Sequence, residues 1–225
     1  MSVIRSKNYK MCNASILAGA LGDSMGADIE FSGLELIRRK YPDGINSLAR
    51  INVPPNFFTD DTQMTLFTAE GLIMANKANS LNSQVAVDKI MHGALLRWYC
   101  TQSGSPKIKT DTSEGIILDN SLWFSGSPGM TCMSSLREAR VLGQPASNNS
   151  KGCGTIMRVA PLAFGVPREN LRKYAISTSA LTHGHPLGQL AAASWAEIIA
   201  DFVANNHLEE TAKEISKQYQ DVSEN

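Results

Sequence analysis

The chain has 225 residues, 43% of them hydrophobic and 19% charged, a composition that excludes a disordered chain and suffices for one domain with a core. Its 21 basic and 21 acidic side chains cancel and only 7% of its residues are aromatic, so we expect no nucleic-acid partner. The four cysteines are scattered, without C-x-x-C spacing, which predicts a reduced protein. The polar start shows no signal peptide and no run of 18 apolar residues occurs, so we expect a cytoplasmic protein without a membrane partner.

Apolar residues recur at helical spacing along most of the chain, and strand-like alternation is nearly absent. We therefore predict an all-α, compact single-domain fold with functional loops between its helices. Ser32, with Glu35 three positions later, predicts a capping box for a short helix that ends before Pro42. The other predicted helices, in chain order, cover residues 11–22, 62–77, 83–100, 112–123, 133–142, 155–164, 168–181, 186–205 and 208–220.

Three of these helices carry an apolar stripe on one face, which indicates the side that packs. The stripes consist of Met11, Ala14, Leu17, Ala18 and Leu21; of Met64, Phe67, Thr68, Gly71 and Leu72; and of Val87, Met91, Leu95 and Trp98.

Two adjacent carboxylates flanked by hydroxyls stand at the predicted start of the third helix, in Thr59-Asp60-Asp61-Thr62. Oxygen ligands of this kind suit a hard cation such as Mg²⁺, which would also relieve the repulsion between the neighbouring acids. An ordinary helix N-cap with acids in its first turn is the alternative.

Glycines surround a single acid in the segment 19–26, where Asp23 is followed downstream by Glu30. This pattern indicates a helix end that another backbone or a ligand approaches closely. A C-cap and turn with a solvated Asp23 is the alternative.

A loop of small residues, 147–154, precedes a predicted helix start and includes Ser150, Gly152, Cys153 and Gly154. Backbone N–H groups and the helix dipole at such a place favour an anion, and the size suits a diphosphate. It is not a Walker A loop because the G-K-[ST] ending is missing; a surface loop is the alternative. The turn 128–131, with Gly129 and Thr131, is a weaker candidate for a second phosphate contact, and a plain turn is the alternative.

Two histidines, His183 and His185, follow Thr182 at a predicted helix end. No further histidine, cysteine or glutamate group completes a zinc set at a familiar spacing. His183 is therefore either a ligand contact or a structurally satisfied histidine.

In chain order, the segments 22–26 with Glu30, 59–62, 150–161 and 182–183 resemble the ADP-ribosylglycohydrolase family. The resemblance covers about residues 11 to 200. The resemblance implies an orthogonal helical bundle whose cleft holds two Mg²⁺ ions. It implies that Thr59, Asp60 and Asp61 ligate metal, with Asp60 and Asp61 also catalytic, and that Glu30 lies beside the metals and the substrate ribose as a further catalytic residue. The substrate-binding residues implied are Gly129, Thr131, Ser150, Gly152, Cys153, Gly154 and His183.

The resemblance implies a Mg²⁺-dependent hydrolase that cleaves the bond between C1 of ADP-ribose and a modified side chain, with N-linked ADP-ribosyl-arginine as the target. The implied partners are an ADP-ribosylated protein and ADP-ribose. A non-catalytic relative that binds ADP-ribose, or a structural protein like the crystallins of this family, is the alternative.

This sequence departs from the family in two ways. No Asp-x-Asp-Thr element follows His185, so the chain, either a fragment or naturally short, is expected to supply only part of the metal site. Cys153 also stands where many family members have Asn. A core built to be closed by a further helix would expose an apolar patch, so we expect association or lower stability.

Overall fold

The computed structural model describes residues 2–45, 57–78, 81, 83–205 and 207–218. Within these ranges the chain forms nine α-helices and no strand, which confirms the all-α prediction. The helices are α1 Ser2–Gly26, α2 Leu34–Lys40, α3 Asp60–Lys77, α4 Gln84–Thr101, α5 Met130–Glu138, α6 Leu162–Gly165, α7 Arg168–Ala180, α8 Pro186–Asn205 and α9 Leu208–Gln218. In the same ranges, single 3₁₀ turns lie at Ile116–Leu118, Asn120–Leu122 and Cys153–Thr155.

Helices α3 and α4 pack against each other and form the centre of the core. Gly71 permits their close approach, because a Cβ there would lie 3.0 Å from the Met91 Sδ and 3.2 Å from the Ala94 Cβ. Both predicted stripes are confirmed as core faces, with Phe67 and Trp98 fully buried. The acidic start of α3 therefore belongs to a helix that is packed in the core.

Helix α8 packs on α7, α6 and α9 through small residues, with Ala192, Ala193 and Ala196 fully buried. Its Glu197 forms ion pairs with Arg168 and Arg172 of α7. By length and composition, Pro186–Ala204 is apolar enough to cross a membrane, with a mean hydropathy of 1.2 and 28% of it buried. Core helices pass the same test, so one such helix is weak evidence for a membrane.

Helix α1 differs from the prediction in the role of its stripe. The helix is longer than predicted, and it packs on α3. Leu17 is nevertheless 69% exposed and Leu21 is 45% exposed, so this stripe does not form a core face. Part of the α1 stripe is thus exposed apolar surface.

Several predicted boundaries are wrong, each for a local reason. Ser32 does not cap α2, which begins at Leu34 after Gly33 and has no side-chain cap. The helix predicted at 133–142 is α5, which starts earlier after Gly129 and ends at Glu138.

Two further predicted helices are replaced by short turns. The segment 112–123 forms only 3₁₀ turns, because Gly115 adopts a positive φ and the Ile116 amide donates to Glu70 Oε1 at 2.8 Å. The segment 155–164 is broken by Pro161, which has no N–H for a continuous helix, so α6 begins only at Leu162. The last two residues of the predicted helix 208–220 lie outside the described residues.

Candidate active site

The start of α3 is held by a carboxylate from the end of α1. Asp23 accepts hydrogen bonds from the Thr59 amide at 2.8 Å and hydroxyl at 2.7 Å, and from the Thr62 amide at 3.2 Å and hydroxyl at 2.5 Å. Thr59 is also the N-cap, since its Oγ1 accepts from the Asp61 amide at 3.3 Å. The N-cap interpretation of Thr59 therefore holds, and Asp23 is structural rather than solvated.

Asp60 is 6% exposed and faces the segment that leads into α5. Its amide donates to the Gly126 carbonyl at 2.8 Å, and its Oδ2 accepts a long hydrogen bond of 3.4 Å from the Gly129 amide. A Cβ on Gly126 would lie 2.6 Å from the Asp60 nitrogen, so only glycine permits this approach. Asp60 and Gly129 are thus neighbours in the fold.

Asp61 lines a different side of the helix start. With Asp23 and Thr62 it borders a cavity of about 500 Å³ between α1, α3, α6 and α8. Apart from these residues the cavity wall is mostly apolar, and Trp195 of α8 is one of its members. Adjacent residues of a helix point in different directions, so Asp60 faces Gly129 whereas Asp61 faces the cavity.

The acids influence one another's protonation. Burial, together with the charges of Asp61 and Glu30, raises the pKa of Asp60 to about 7. Burial also raises the pKa of Asp61 to about 6, with contributions from Asp23 and Glu30. Glu30 therefore lies close enough to act on both carboxylates, although it is itself exposed on the turn after α1.

The donor chemistry of this cluster suits a hard cation. No ion pair among the described residues involves Asp23, Glu30, Asp60 or Asp61, so their repulsion is not compensated by a basic side chain. A divalent ion would remove that repulsion. In the described part of the chain, however, no three His, Cys, Asp or Glu side chains are arranged to hold a metal ion. The donor types thus suit a hard cation, but the described residues alone do not form a three-ligand site.

The glycine-rich loop is shaped by one asparagine. Asn148 Oδ1 accepts from the Ser150 amide at 3.0 Å and from the Gly184 amide at 3.1 Å, and its Nδ2 donates to the Thr182 carbonyl at 2.8 Å. Ser150 Oγ then accepts from the Gly152 amide at 3.2 Å. These bonds fix the loop on the segment that connects α7 to α8.

The same loop touches α5 through a pair of hydroxyls. Ser150 Oγ and Thr131 Oγ1 are 3.1 Å apart. Because Gly129, two residues before Thr131, contacts Asp60, the start of α5 lies between the acidic site and the glycine-rich loop. The structure therefore brings together the predicted residues of both motifs.

His183 is packed beneath the loop and is 1% exposed. A Cβ at Gly152 would lie 3.2 Å from the His183 Nε2, and one at Gly154 would lie 2.9 Å from its Cε1. A Cβ at Gly154 would also lie 2.8 Å from the Cys132 Sγ, which leaves no space for a side chain there. Gly154 is thus required for the close contact between loop and histidine, and a side chain at Gly152 would be tightly packed.

The remaining predicted residues have distinct places. Cys153 is exposed at the tip of the loop, between the two glycines. His185 accepts a hydrogen bond of 3.0 Å from the Leu187 amide through its Nδ1, so it caps α8. Burial and the charge of Arg158 lower the pKa of His183 to about 4. His183 is thus the histidine that belongs to the candidate site.

Sequence reasoning missed residues whose role depends on distant contacts. Gln63 donates to the Leu122 and Phe124 carbonyls at 3.2 Å each and so holds the segment before Gly126 against α3. Asn148 lies within the loop 147–154, but the sequence did not single it out as the residue whose side chain shapes that loop. Only the asparagine carried a usable signal, since such a side chain often bonds backbone two residues on.

Together these features define an all-α protein in which an acidic helix start stands beside a glycine-rich loop. The sequence model of the ADP-ribosylglycohydrolase family matches residues 8–224, nearly the whole chain. The chain belongs to the ADP-ribosylglycohydrolase family. A comparison with curated proteins found no match.

Proposed function

We propose that the protein is a Mg²⁺-dependent hydrolase that releases ADP-ribose from a modified protein, with N-linked ADP-ribosyl-arginine as the target. The observation that carries the proposal is the chain of contacts from Asp60 through Gly129 and Thr131 to Ser150. It places an acidic cluster next to a loop suited to a diphosphate, and ADP-ribose needs both kinds of group.

The glycine-rich loop would bind the diphosphate. The loop amides other than those of Ser150 and Gly152, which already donate within the loop, would be donors for phosphate oxygens together with the hydroxyls of Ser150 and Thr131. The glycines of the loop would allow its backbone to approach the ligand closely. Cys153 offers a small side chain at the loop tip. His183 would contribute a ring nitrogen from below the loop.

The acidic cluster would hold the metal and the ribose end. Thr59, Asp60 and Asp61 are the oxygen donors that would hold Mg²⁺. When bound, the ion supplies positive charge that orients ribose hydroxyls and stabilises charge that develops on the oxygens. The unfavourable burial of two neighbouring acids supports this assignment, because a cation is what the site needs.

Glu30 would act as the base in this reaction. It is exposed beside Asp60 and Asp61, and water can reach it. As water adds to C1 of the ribose, Glu30 takes its proton and the C1–N bond breaks. Glu30 then gives this proton to the guanidine nitrogen that leaves, so ADP-ribose and an unmodified arginine result and Glu30 is ionised again.

The test is release of ADP-ribose from an arginine-ADP-ribosylated protein, measured by chromatography with Mg²⁺ and with EDTA. We expect turnover only with Mg²⁺. Glu30→Gln should lower the rate about 100-fold or more, the usual effect of losing a general base. Glu35→Gln, a change of the same type at an exposed position on α2, should leave the rate unchanged. Turnover that is equal in EDTA would contradict the role of the metal.

A binding module that does not hydrolyse ADP-ribosyl bonds is the second candidate. The observation that favours it is that the described residues supply fewer than three acidic or histidine ligands arranged for a metal. ADP-ribose binding without any turnover in the same assay would support this candidate and contradict hydrolysis.

A further inference from the structure

A buried arginine lies beneath the glycine-rich loop. Arg158 is 2% exposed, and its Nε donates to the Gly154 carbonyl at 3.1 Å. Its Nη2 donates to the Thr178 carbonyl at 3.1 Å and to the Thr182 Oγ1 at 2.9 Å. All three acceptors are neutral oxygens, so none of these hydrogen bonds neutralises the charge of the guanidinium.

The Thr182 hydroxyl joins this arginine to His183. Thr182 Oγ1 lies 2.9 Å from the His183 Nδ1, within hydrogen-bond distance. The other acceptor near this hydroxyl is the Ser179 carbonyl at 3.5 Å, which is long for an O–H donor.

The Ser179 carbonyl is also already occupied. It accepts from the Thr182 amide at 3.1 Å and from the His183 amide at 3.0 Å, and a carbonyl oxygen has two lone pairs. The Arg158 guanidinium has only donors, so it donates to a lone pair of Thr182 Oγ1 and cannot accept the hydroxyl hydrogen. The hydrogen of the Thr182 hydroxyl is therefore donated to the His183 Nδ1.

This direction fixes the state of the imidazole ring. When Nδ1 accepts a hydrogen bond, the neutral ring carries its proton on Nε2. The Nε2 edge faces the loop, since a Cβ at Gly152 would lie 3.2 Å from Nε2 and one at Gly154 would lie 3.4 Å from it. The ring thus presents its Nε2–H to the loop at Gly152 and Gly154.

We propose that Arg158 and Thr182 are positioning residues that fix His183 as a neutral donor, with its Nε2–H directed at a diphosphate oxygen of bound ADP-ribose. The ligand part of this inference rests on the proposed function. The tautomer part concerns the protein alone and can be judged without any ligand.

The first experiment reads the tautomer directly, in the full chain without ligand. Nitrogen-15 NMR of the histidine rings distinguishes Nε2–H from Nδ1–H, and we expect His183 to be Nε2–H at neutral pH. Thr182→Val should give a mixture of tautomers, whereas Thr182→Ser should retain the wild-type signal. Thr178→Val is the matched control, because it removes a buried hydroxyl that bonds the Tyr174 carbonyl rather than His183.

The second experiment measures affinity for ADP-ribose and for adenosine by calorimetry, with Mg²⁺ present. Thr182→Val should weaken ADP-ribose binding about tenfold, the usual scale for a hydrogen bond to a charged group. The affinity for adenosine, which has no phosphate, should stay the same. Thr182→Ser and Thr178→Val should both bind ADP-ribose like the wild type.

The two experiments separate the possible failures. A wild-type His183 with its proton on Nδ1 would overturn the proposal, whatever binds to the loop. An unchanged tautomer and affinity in Thr182→Val would overturn the role of Thr182. A wild-type protein with the expected tautomer but no affinity for ADP-ribose would instead contradict the proposed function and, with it, the ligand named here.

Discussion

At the scale of single residues, the most unusual feature is the burial of two neighbouring acids. The pKa of Asp60 is about 7 in the folded protein, well above its ordinary value of 3.8. Between these values the folded state binds more protons than the unfolded state. The free energy of unfolding of the metal-free protein must therefore fall as pH rises through this range.

The first prediction follows from that sign. In EDTA, the protein should be more stable at pH 5 than at pH 7.5, with a slope of at most about 1.4 kcal/mol per pH unit from Asp60. Mg²⁺ should raise stability more at pH 7.5 than at pH 5, because it binds the ionised form. Thermal unfolding of wild type and Asp60→Asn checks this, and Asp60→Asn should reduce both effects. A wild-type stability that rises between pH 5 and pH 7.5 in EDTA would contradict it.

The second prediction concerns the glycine beside His183. Gly154→Ala would place a Cβ 2.8 Å from the Cys132 Sγ and 2.9 Å from the His183 Cε1, so the loop must move. We expect a loss of about 1–3 kcal/mol in stability, typical of overpacking, together with loss of ADP-ribose binding. The control Gly33→Ala meets nothing within 4 Å and should change neither. A Gly154→Ala protein that binds ADP-ribose normally would show that the loop is not the binding element.

Residue types could be predicted at this site, but their partners could not. Asp60, Ser150 and Gly152 stand in short motifs, so the sequence alone drew attention to them. Arg158 is adjacent to one of these motifs, yet its significance comes from the Thr178 and Thr182 oxygens, which only the packing of α7 brings near.

At the scale of secondary structure, the connection between α1 and α3 positions the acidic site. Asp23, 36 residues before Thr59 in the chain, satisfies two amides and two hydroxyls at the start of α3. Its removal leaves the first turn of that helix without its principal acceptor. The orientation of Asp60 and Asp61 therefore depends on a residue that need not touch the ligand.

The third prediction tests this cap. Asp23→Ala should lower the free energy of unfolding by about 1–3 kcal/mol, the range for a lost cap with charge-assisted hydrogen bonds. Asp43→Ala, which changes an exposed aspartate in the turn after α2, should have little effect. Chemical denaturation of both variants measures the difference. Equal stabilities of the two variants would show that Asp23 does not hold the helix start.

Helices with a clear periodic stripe were predictable, and those decided by distant contacts were not. The stripes of α3 and α4 were correct because burial in the core imposes helical spacing on their apolar residues. The segment at 112–123 failed because a tertiary bond from Glu70 to the Ile116 amide replaces a helical one. The prediction of a helix at 155–164 was wrong although the sequence contains Pro161, which a continuous helix does not tolerate at that position.

At the scale of the whole molecule, the apolar surface of α1 and α8 stands out. Leu17 is 69% exposed and Trp195 is 42% exposed, and Trp195 lines the cavity that Asp61 borders. Exposed apolar surface of this kind drives association. The acidic site and the exposed apolar surface at Trp195 therefore border the same cavity.

The fourth prediction is that the chain self-associates as its concentration rises. Light scattering should show an average mass above 24.4 kDa, and a Leu17→Gln, Trp195→Gln double variant should shift it toward the monomer. Exchange of Val85, an equally exposed apolar residue on α4, for Gln should leave association unchanged. A wild-type protein that stays monomeric at all concentrations would contradict the prediction.

The most direct test of the account is a calorimetric titration of the wild-type chain with ADP-ribose, in Mg²⁺ and in EDTA. We expect one ADP-ribose per chain, bound more tightly with Mg²⁺, and we expect Gly154→Ala to lose this binding. In Asp60→Asn, the effect of Mg²⁺ should disappear. Absence of binding in both buffers would contradict it, because the acidic helix start and the glycine-rich loop would then not form one site.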